Sequence, residues 1–284
     1  MSRYAYVNGG YVRQGAARVH IEDRGYQFAD GVYEVWSVHE GRLLDSDGHY
    51  ARLERSLGEL RMAMPMSRVA LAAVLKETLR RNRVRNGILY LQITRGVAPR
   101  DHAFPGEDVP CSVVVTARSI DERALHARVQ SGVGVITLPD IRWKRCDIKS
   151  VALLPNVLAK QAAREAGAFE AWLLDERGLV TEGASTTAWI VDAAGRIRTR
   201  PLSHDILPGV TRATLLRVAM ERQMPVVEEP FTIAEARAAL EAFISSASGV
   251  VVPVVSIDGA QIGDGAPGPI ALVLRAAYFE GAQR

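Results

Sequence analysis

The sequence predicts a mixed α/β (α+β) chain of two subdomains, and three observations carry that reading. Strand-like and helix-like hydrophobic periods follow one another without the strict strand–helix–strand rhythm of a purely parallel sheet. At 284 residues the chain has room for two medium domains, each with its own core. A polar stretch over residues 117–125 reads as a connector. It divides the chain into a small N-terminal α/β domain over 1–117, a linker over 118–125 and a larger C-terminal α/β domain over 126–284 that carries Lys149.

The elements follow in order. Residues 4–7 and 11–13 read as strands around Asn8-Gly9, a dipeptide suited to a two-residue hairpin turn. Residues 35–39 and 42–44 flank Glu40-Gly41 in the same way. From Asp47 the period becomes helical, with Tyr50, Leu53, Leu57 and Leu60 three and four residues apart. A second helix over 67–83 opens on Ser67, a suitable cap. Residues 88–94 and 111–116 are rich in β-branched side chains and read as strands, and Pro99 and Pro105 break the segment between them. In the second half, strands are predicted over 132–138, 169–174, 187–191, 197–200, near 226, over 242–246 and over 250–257. Helices are predicted over 154–167, 210–224, 233–242 and 269–279, and residues 258–268 form a Gly-rich connection.

Composition narrows the function. A net charge of +3 and an ordinary hydrophobic content of 48% describe a globular protein with mild attraction for anions. No basic block interleaved with aromatics points to nucleic acid, and no run approaches the roughly 18 apolar residues of a membrane span. The N-terminus carries no apolar core of signal-peptide length, so a cytoplasmic location is expected. Cys111 and Cys146 form no CxxC and no disulfide framework, and no metal site is expected. Cys146, three residues before Lys149, reads as a structural thiol with a redox role as the alternative.

The chemistry centres on Lys149. Of 35 basic residues only Lys76, Lys144, Lys149 and Lys160 are lysines, and arginine supplies the rest. Arginine stays protonated, whereas a desolvated lysine becomes a neutral amine that attacks a carbonyl. Lys149 is thus a candidate Schiff-base nucleophile, with an ordinary surface lysine as the plain alternative. A phosphorylated pyridine aldehyde needs an amine, an anion cradle and an acidic partner for its ring nitrogen. Glu182, in Thr181-Glu182-Gly183-Ala184-Ser185-Thr186-Thr187, suits the last role, or is only a turn carboxylate. Leu207-Pro208-Gly209-Val210-Thr211-Arg212 opens a helix whose first amides can bind an anion, or is only a cap. Ser245-Ser246-Ala247-Ser248 ends a strand with small residues, and Arg52 offers a cationic fork. Singly, the serine run is an ordinary turn and Arg52 an ordinary solvated side chain.

The ordered motifs HxxRL, IxxxRCDIKS, TEGxSTT, LPGVTR and SSAS span nearly the whole chain and together resemble the fold-type-IV pyridoxal-phosphate enzymes. That family includes D-amino-acid transaminases, branched-chain L-amino-acid transaminases and aminodeoxychorismate lyases. The resemblance implies two α/β subdomains with the cofactor site at their interface and pyridoxal 5′-phosphate on Lys149. It further implies Glu182 at the pyridine nitrogen. Arg52, Ser185, Thr186, Val210, Thr211, Ser246, Ala247 and Ser248 are implied to bind the cofactor. The stretches Ile21-Glu22-Asp23-Arg24-Gly25-Tyr26-Gln27-Phe28-Ala29-Asp30-Gly31-Val32-Tyr33-Glu34 and Thr94-Arg95-Gly96-Val97-Ala98-Pro99-Arg100-Asp101-His102 are similar to the D-alanine transaminase branch. There the equivalents of Tyr33, Arg100 and His102 trap the substrate carboxylate, and the arginine and histidine come from the neighbouring subunit. The resemblance therefore implies a homodimer acting on D-amino acids and 2-oxo acids.

Thr187 departs from the asparagine frequent in the family, and Ala247 stands where relatives place a hydroxyl. Trp143 can wall the site or pack in a core, and Pro155 and Asn156 have no assigned role. The competing activities on the same fold are a branched-chain L-transaminase, an (R)-amine transaminase and a pyruvate-releasing lyase. A basic binding protein without enzymatic activity leaves the ordered motifs unexplained.

Overall fold

The computed structural model describes residues 3–282. The chain divides into two compact units. The first takes the chain up to Ile120 together with Ile148–Ala152; the second takes Asp121–Asp147 and the chain from Leu153 onward.

The first unit contains β1 (Tyr4–Val7), β2 (Gly10–Arg13), α1 (Arg24–Phe28), β3 (Gly31–His39) and β4 (Arg42–Leu43). It continues with α2 (Ser46–Glu59), α3 (Arg68–Asn82), β5 (Gly87–Thr94) and β6 (Ser112–Ser119). Its sheet runs β2-β1-β6-β5-β3-β4, with every neighbouring pair antiparallel. Both hairpin dipeptides supply the expected positive φ values: Asn8 (44°) with Gly9 (99°), and Glu40 (51°) with Gly41 (81°). Ser67 caps α3 through the amide of Ala70, as its sequence position predicts. The alternation of β3 turns Val32, Glu34, Trp36 and Val38 inward, and α2 and α3 cover that face with Leu53, Leu57, Leu71 and Leu75. One of the four inward positions is a carboxylate, which becomes important at the site.

The second unit contains α4 (Glu122–Ser131), β7 (Val133–Pro139), α5 (Leu154–Glu165), β8 (Glu170–Leu174), β9 (Val180–Gly183), β10 (Thr187–Val191) and β11 (Ile197–Thr199). It is completed by α6 (Val210–Glu221), β12 (Val226–Glu228), α7 (Ile233–Arg237), β13 (Glu241–Ser246), β14 (Val250–Ile257), β15 (Ala260–Gln261) and α8 (Pro269–Ala282). The mixed sheet runs β12-β11-β10-β13-β14-β7-β8-β9, with β15 on β14. Burial of β10 and β13 on both faces explains why their centres read as unbroken hydrophobic runs.

Two sequence expectations need correction, and one strand was not predicted. Residues 118–125 are not an irregular linker: Arg118 and Ser119 finish β6, and Asp121 caps α4 through the amide of Ala124. The polarity of that stretch reflects an exposed helix, not an absent one. Lys149 does not group with the second half of the chain. Residues 148–152 leave that half because their backbone bonds to β3: the Tyr33 amide donates to the Lys149 carbonyl, and the Val151 amide to that of Gly31. Residues 180–183, for which the sequence predicts no element, form a strand of only four residues.

Gly31 makes the β3 pairing possible. A methyl at its Cα would sit 2.7 Å from the Ile93 carbonyl oxygen and 3.0 Å from the Thr94 Cα, both backbone atoms that cannot swing away. Gly31→Ala is expected to lower stability by about 1–3 kcal/mol, the usual cost of overpacking. Urea denaturation measures it, and an unchanged midpoint would show that β3 and β5 separate without cost.

Candidate active site

In the first unit, the Lys149 backbone is fixed on three sides. Its carbonyl takes the Tyr33 amide at 3.0 Å, Ser150 bridges Val32, and its own amide donates to the Ser56 hydroxyl on α2 at 3.3 Å. The result brings two predicted residues together: Lys149 Nζ lies 4.2 Å from the centre of the Tyr33 ring. Tyr33 in turn stacks on Tyr90 at 5.7 Å, and the Tyr90 hydroxyl donates to Gln92 Oε1 at 2.6 Å. Burial, with Tyr33 adding to it, pushes the Tyr90 pKa up to about 12, so it remains a neutral donor. Sequence reasoning missed Tyr90 and Gln92. Their period-2 spacing on β5, opposite Tyr33 on β3, is the signal that finds them.

Behind this face, Glu34 is completely buried and takes two bonds from Arg52, Nε to Oε1 and Nη2 to Oε2, both 2.8 Å. His49 Nδ1 approaches Oε2 at 2.7 Å. Burial alone would raise the Glu34 pKa, but the Arg52 charge and the bonds from Arg52 and His49 pull it down to about 2. For His49 burial dominates and lowers the pKa, so the ring is neutral and its Nδ1–H donates to Glu34. Arg52, read from sequence as a cationic fork or as an ordinary solvated side chain, is a buried side chain oriented by a carboxylate 18 residues upstream.

The predicted carboxylate trap divides. Tyr33 stands beside Lys149, whereas Arg100 and His102 lie on an exposed loop and meet at Phe28 instead. The Arg100 guanidinium is 5.1 Å from the Phe28 ring centre, and the His102 ring is 5.4 Å away. Arg24, almost fully buried, supports that loop: its Nη1 donates to the Asp101 carbonyl at 2.6 Å and its Nε to Asp30 at 2.8 Å. Arg95 grips the same Asp30 with two bonds. Burial would raise the Asp30 pKa, but Arg95 and Arg24 hold it below its ordinary value.

In the second unit, Glu182 is buried and accepts from Arg142 Nη1 and, at 3.2 Å, from the Leu207 amide. Arg142 also forks onto Asp140 through Nε at 2.9 Å and Nη2 at 2.7 Å. Burial opposes the guanidinium charge, yet Asp140 and Glu182 raise the Arg142 pKa further, so the cation is permanent. Neither Arg142 nor Asp140 stood out in a sequence where arginine is the default cation. Cys146 donates to the Trp143 carbonyl at 3.0 Å, and burial first, then Glu182 and Asp140, push its thiol up to about 12 against the pull of Arg142. Such a thiol stays protonated and is structural. Trp143 is exposed and belongs to no core.

Three motifs converge at one end of the second sheet. Thr187 at the start of β10 pairs with Ser245 near the end of β13. A methyl on Gly209 would lie 3.1 Å from the Thr187 hydroxyl, so α6 begins against that strand end. Gly209 provides no side-chain cap to α6, whose first residues include Val210 and Thr211. Ser246 and Ser248 hydroxyls face each other at 3.3 Å in the adjoining hairpin. The Thr186 hydroxyl is buried without a partner among the described residues, and Gly183 leaves it room: a methyl there would lie 2.1 Å from it. Ser185 points elsewhere, donating to the buried Glu170 at 2.7 Å. Asn156 also acquires a role, donating to the Ala184 carbonyl at 2.7 Å and holding the same segment to α5. Hydroxyls, uncapped amides and an orphaned buried donor beside a buried carboxylate fit a phosphorylated pyridine.

The model of the family described as amino-transferase class IV matches residues 31–257. The chain belongs to the class IV aminotransferases. It is 44% identical to a D-alanine aminotransferase of Bacillus licheniformis, over 93% of this chain and 91% of the other. It is 40% identical to a D-alanine aminotransferase of Staphylococcus haemolyticus, over 96% and 95%. Among solved structures, a T.th. branched-chain amino acid aminotransferase with pyridoxamine 5′-phosphate superposes with a TM-score of 0.89 at 28% identity, covering 99% of this chain and 94% of that one. The fold is therefore that of the fold-type-IV aminotransferases.

The charge pattern of this aminotransferase gives it a defined acid limit. Glu34 is lowered from 4.5 to about 2, so its contribution is fully present above pH 4.5 and is lost as pH falls toward 2. Glu34→Gln should start from a lower stability and decline less across that window. Urea midpoints between pH 5 and 2, about the span of the two values, measure it. Parallel declines in both proteins would remove Glu34 as the titrating group.

Proposed function

We propose that this aminotransferase moves the amino group of D-alanine and similar D-amino acids to 2-oxoglutarate, using pyridoxal 5′-phosphate. The observation that carries the reading is identity of 40–44% to D-alanine aminotransferases over more than nine-tenths of the chain. The branched-chain neighbours reach only 23–28% identity at a TM-score of 0.89, which supports a shared fold with the lower sequence likeness on the branched-chain side.

When bound, the cofactor supplies an electron-withdrawing ring that stabilises negative charge at the substrate Cα. The chain supplies the rest. Lys149 Nζ, poised at the Tyr33 ring, is the group that takes and returns the proton at that carbon. Glu182, anchored by Arg142 and the Leu207 amide, is the carboxylate for the ring nitrogen. Arg52, oriented by Glu34, is the phosphate ligand proposed from the first unit, and Thr186, Val210, Thr211, Ser246 and Ser248 are those proposed from the second, Ala247 contributing backbone only. Ser185 acts through Glu170 to steady this segment.

Selection of the D enantiomer follows from Lys149 working on one face. Only an α-hydrogen turned toward its amine leaves, so the group that captures the carboxylate chooses the enantiomer. Arg100, His102 and Tyr33 are the proposed captors, the first two acting in the site of a neighbouring copy. The exposed Ile21, Tyr26 and Phe104 on the first unit and Leu154, Val157 and Leu158 on α5 are surfaces that a homodimer would cover.

Lys149→Ala should cut transamination by about 10³-fold or more, the usual range for a lost acid–base group, in an assay of pyruvate formation from D-alanine. Retained turnover would refute the role of Lys149. Arg100→Leu should lower kcat/KM for D-alanine roughly thirtyfold, the worth of about 2 kcal/mol of charged hydrogen bonding. Cofactor affinity should stay unchanged, and equal loss of both would refute the trap.

A further inference from the structure

The hairpin that joins β13 to β14 carries a conformational anomaly. Ser246 pairs with Val250, so Ala247, Ser248 and Gly249 form a three-residue loop. Such loops close with one residue in the left-handed region, a place suited to glycine. Here that residue is Val250, with φ of +60°, although Gly249 stands immediately before it. A β-branched side chain in this region is a true outlier and persists only where its surroundings over-determine it. The surroundings are visible. Val250 is buried, and Arg275 from α8 donates Nη1 to the carbonyl oxygens on both sides of it, those of Gly249 and Val251 (2.9 Å to the latter). Within the loop the Gly249 amide donates to the Ser246 hydroxyl at 3.2 Å, and a methyl on Gly249 would crowd Val252 at 3.1 Å.

The guanidinium is unusual in its company. Its partners among the described residues are the two carbonyls and the ring of Phe279, 5.3 Å away, and no carboxylate pairs with it. Burial accordingly lowers its pKa. A half-buried arginine with no carboxylate partner among the described residues leaves net positive charge behind the loop that presents Ser246 and Ser248.

We propose that Arg275 is a positioning residue for the cofactor phosphate: by clamping the carbonyls on either side of left-handed Val250 it fixes the Ser246–Ser248 hydroxyls toward an anion and lends that loop its charge. The inference rests on the reading that this loop holds the phosphate. It predicts a phosphate-selective defect, which a merely structural arginine would not give.

The test titrates apoprotein with pyridoxal 5′-phosphate and, separately, with pyridoxal, which lacks the phosphate, following the absorbance of the bound cofactor. Arg275→Met should weaken binding of the phosphorylated form about tenfold or more, a loss of charge-assisted bonding, while pyridoxal binding changes less than about threefold. Arg275→Lys keeps the charge but not the two-carbonyl grip, and should fall between wild type and Arg275→Met. If Arg275→Met fails to fold, Arg275→Lys decides alone: a selective loss supports the proposal and an equal loss of both ligands overturns it. Ser246→Ala serves as the control for the underlying reading. A selective defect in Ser246→Ala with none in either Arg275 variant overturns the role of Arg275 only. No selective defect in any of them removes the loop from the phosphate site, and the proposal with it.

Discussion

The structure of the first unit depends on the antiparallel contact between Ile148–Ala152 and the start of β3. Few atoms make it: two backbone bonds flanking Val32, a bridge from Ser150 to Val32 and the Lys149 amide on Ser56. Each bond contributes only about 1 kcal/mol net, so geometry matters more than strength. The contact needs β3 in register with β5, which needs Gly31 where any side chain would strike the Ile93 carbonyl. It needs α2 in place to offer Ser56, and α2 is held to β3 by the Arg52–Glu34–His49 cluster. The side chain that emerges from this stack of conditions is Lys149, over the Tyr33 ring.

Charge is organised in the same spirit in both units. Glu34, Asp30 and Asp140 are withdrawn from water, and burial alone favours their protonated forms; in each case an arginine fork keeps the carboxylate ionised. Such pairs add little stability over an apolar core of the same shape, but removing one partner leaves a stranded charge costing about 3–5 kcal/mol. What they provide is orientation. Arg52 is held by Glu34, the Arg100 loop is reached by Arg24, and Glu182 is gripped by Arg142. The prevalence of arginine over lysine suits this use, because a planar fork binds a carboxylate at two points and cannot lose its proton.

Much of this was legible in the sequence. Hairpin dipeptides, the Ser67 cap and the period-3.6 spacing in α2 gave their elements because the forces behind them are local. The order of the motifs singled out Lys149, Glu182 and the α6 start as candidates, and Thr187, Gly209 and the serine hairpin lie together at one end of the second sheet. The misses were non-local. Residues 148–152 joined the first unit because of bonds to a strand more than a hundred residues earlier, which no window along the chain detects. Glu34 carried no signal of its own until alternation placed it inward under α2. Arg142 was indistinguishable from other arginines until Asp140 and Glu182 surrounded it.

The measurement that tests the account most directly is the visible absorbance of the cofactor-loaded protein on addition of D-alanine and, in a separate sample, L-leucine. The account predicts that D-alanine removes the visible band, that 2-oxoglutarate restores it, and that L-leucine leaves it unchanged. A band discharged by L-leucine and indifferent to D-alanine would contradict it, keeping the fold and Lys149 but assigning Tyr33, Arg100 and His102 to the wrong enantiomer.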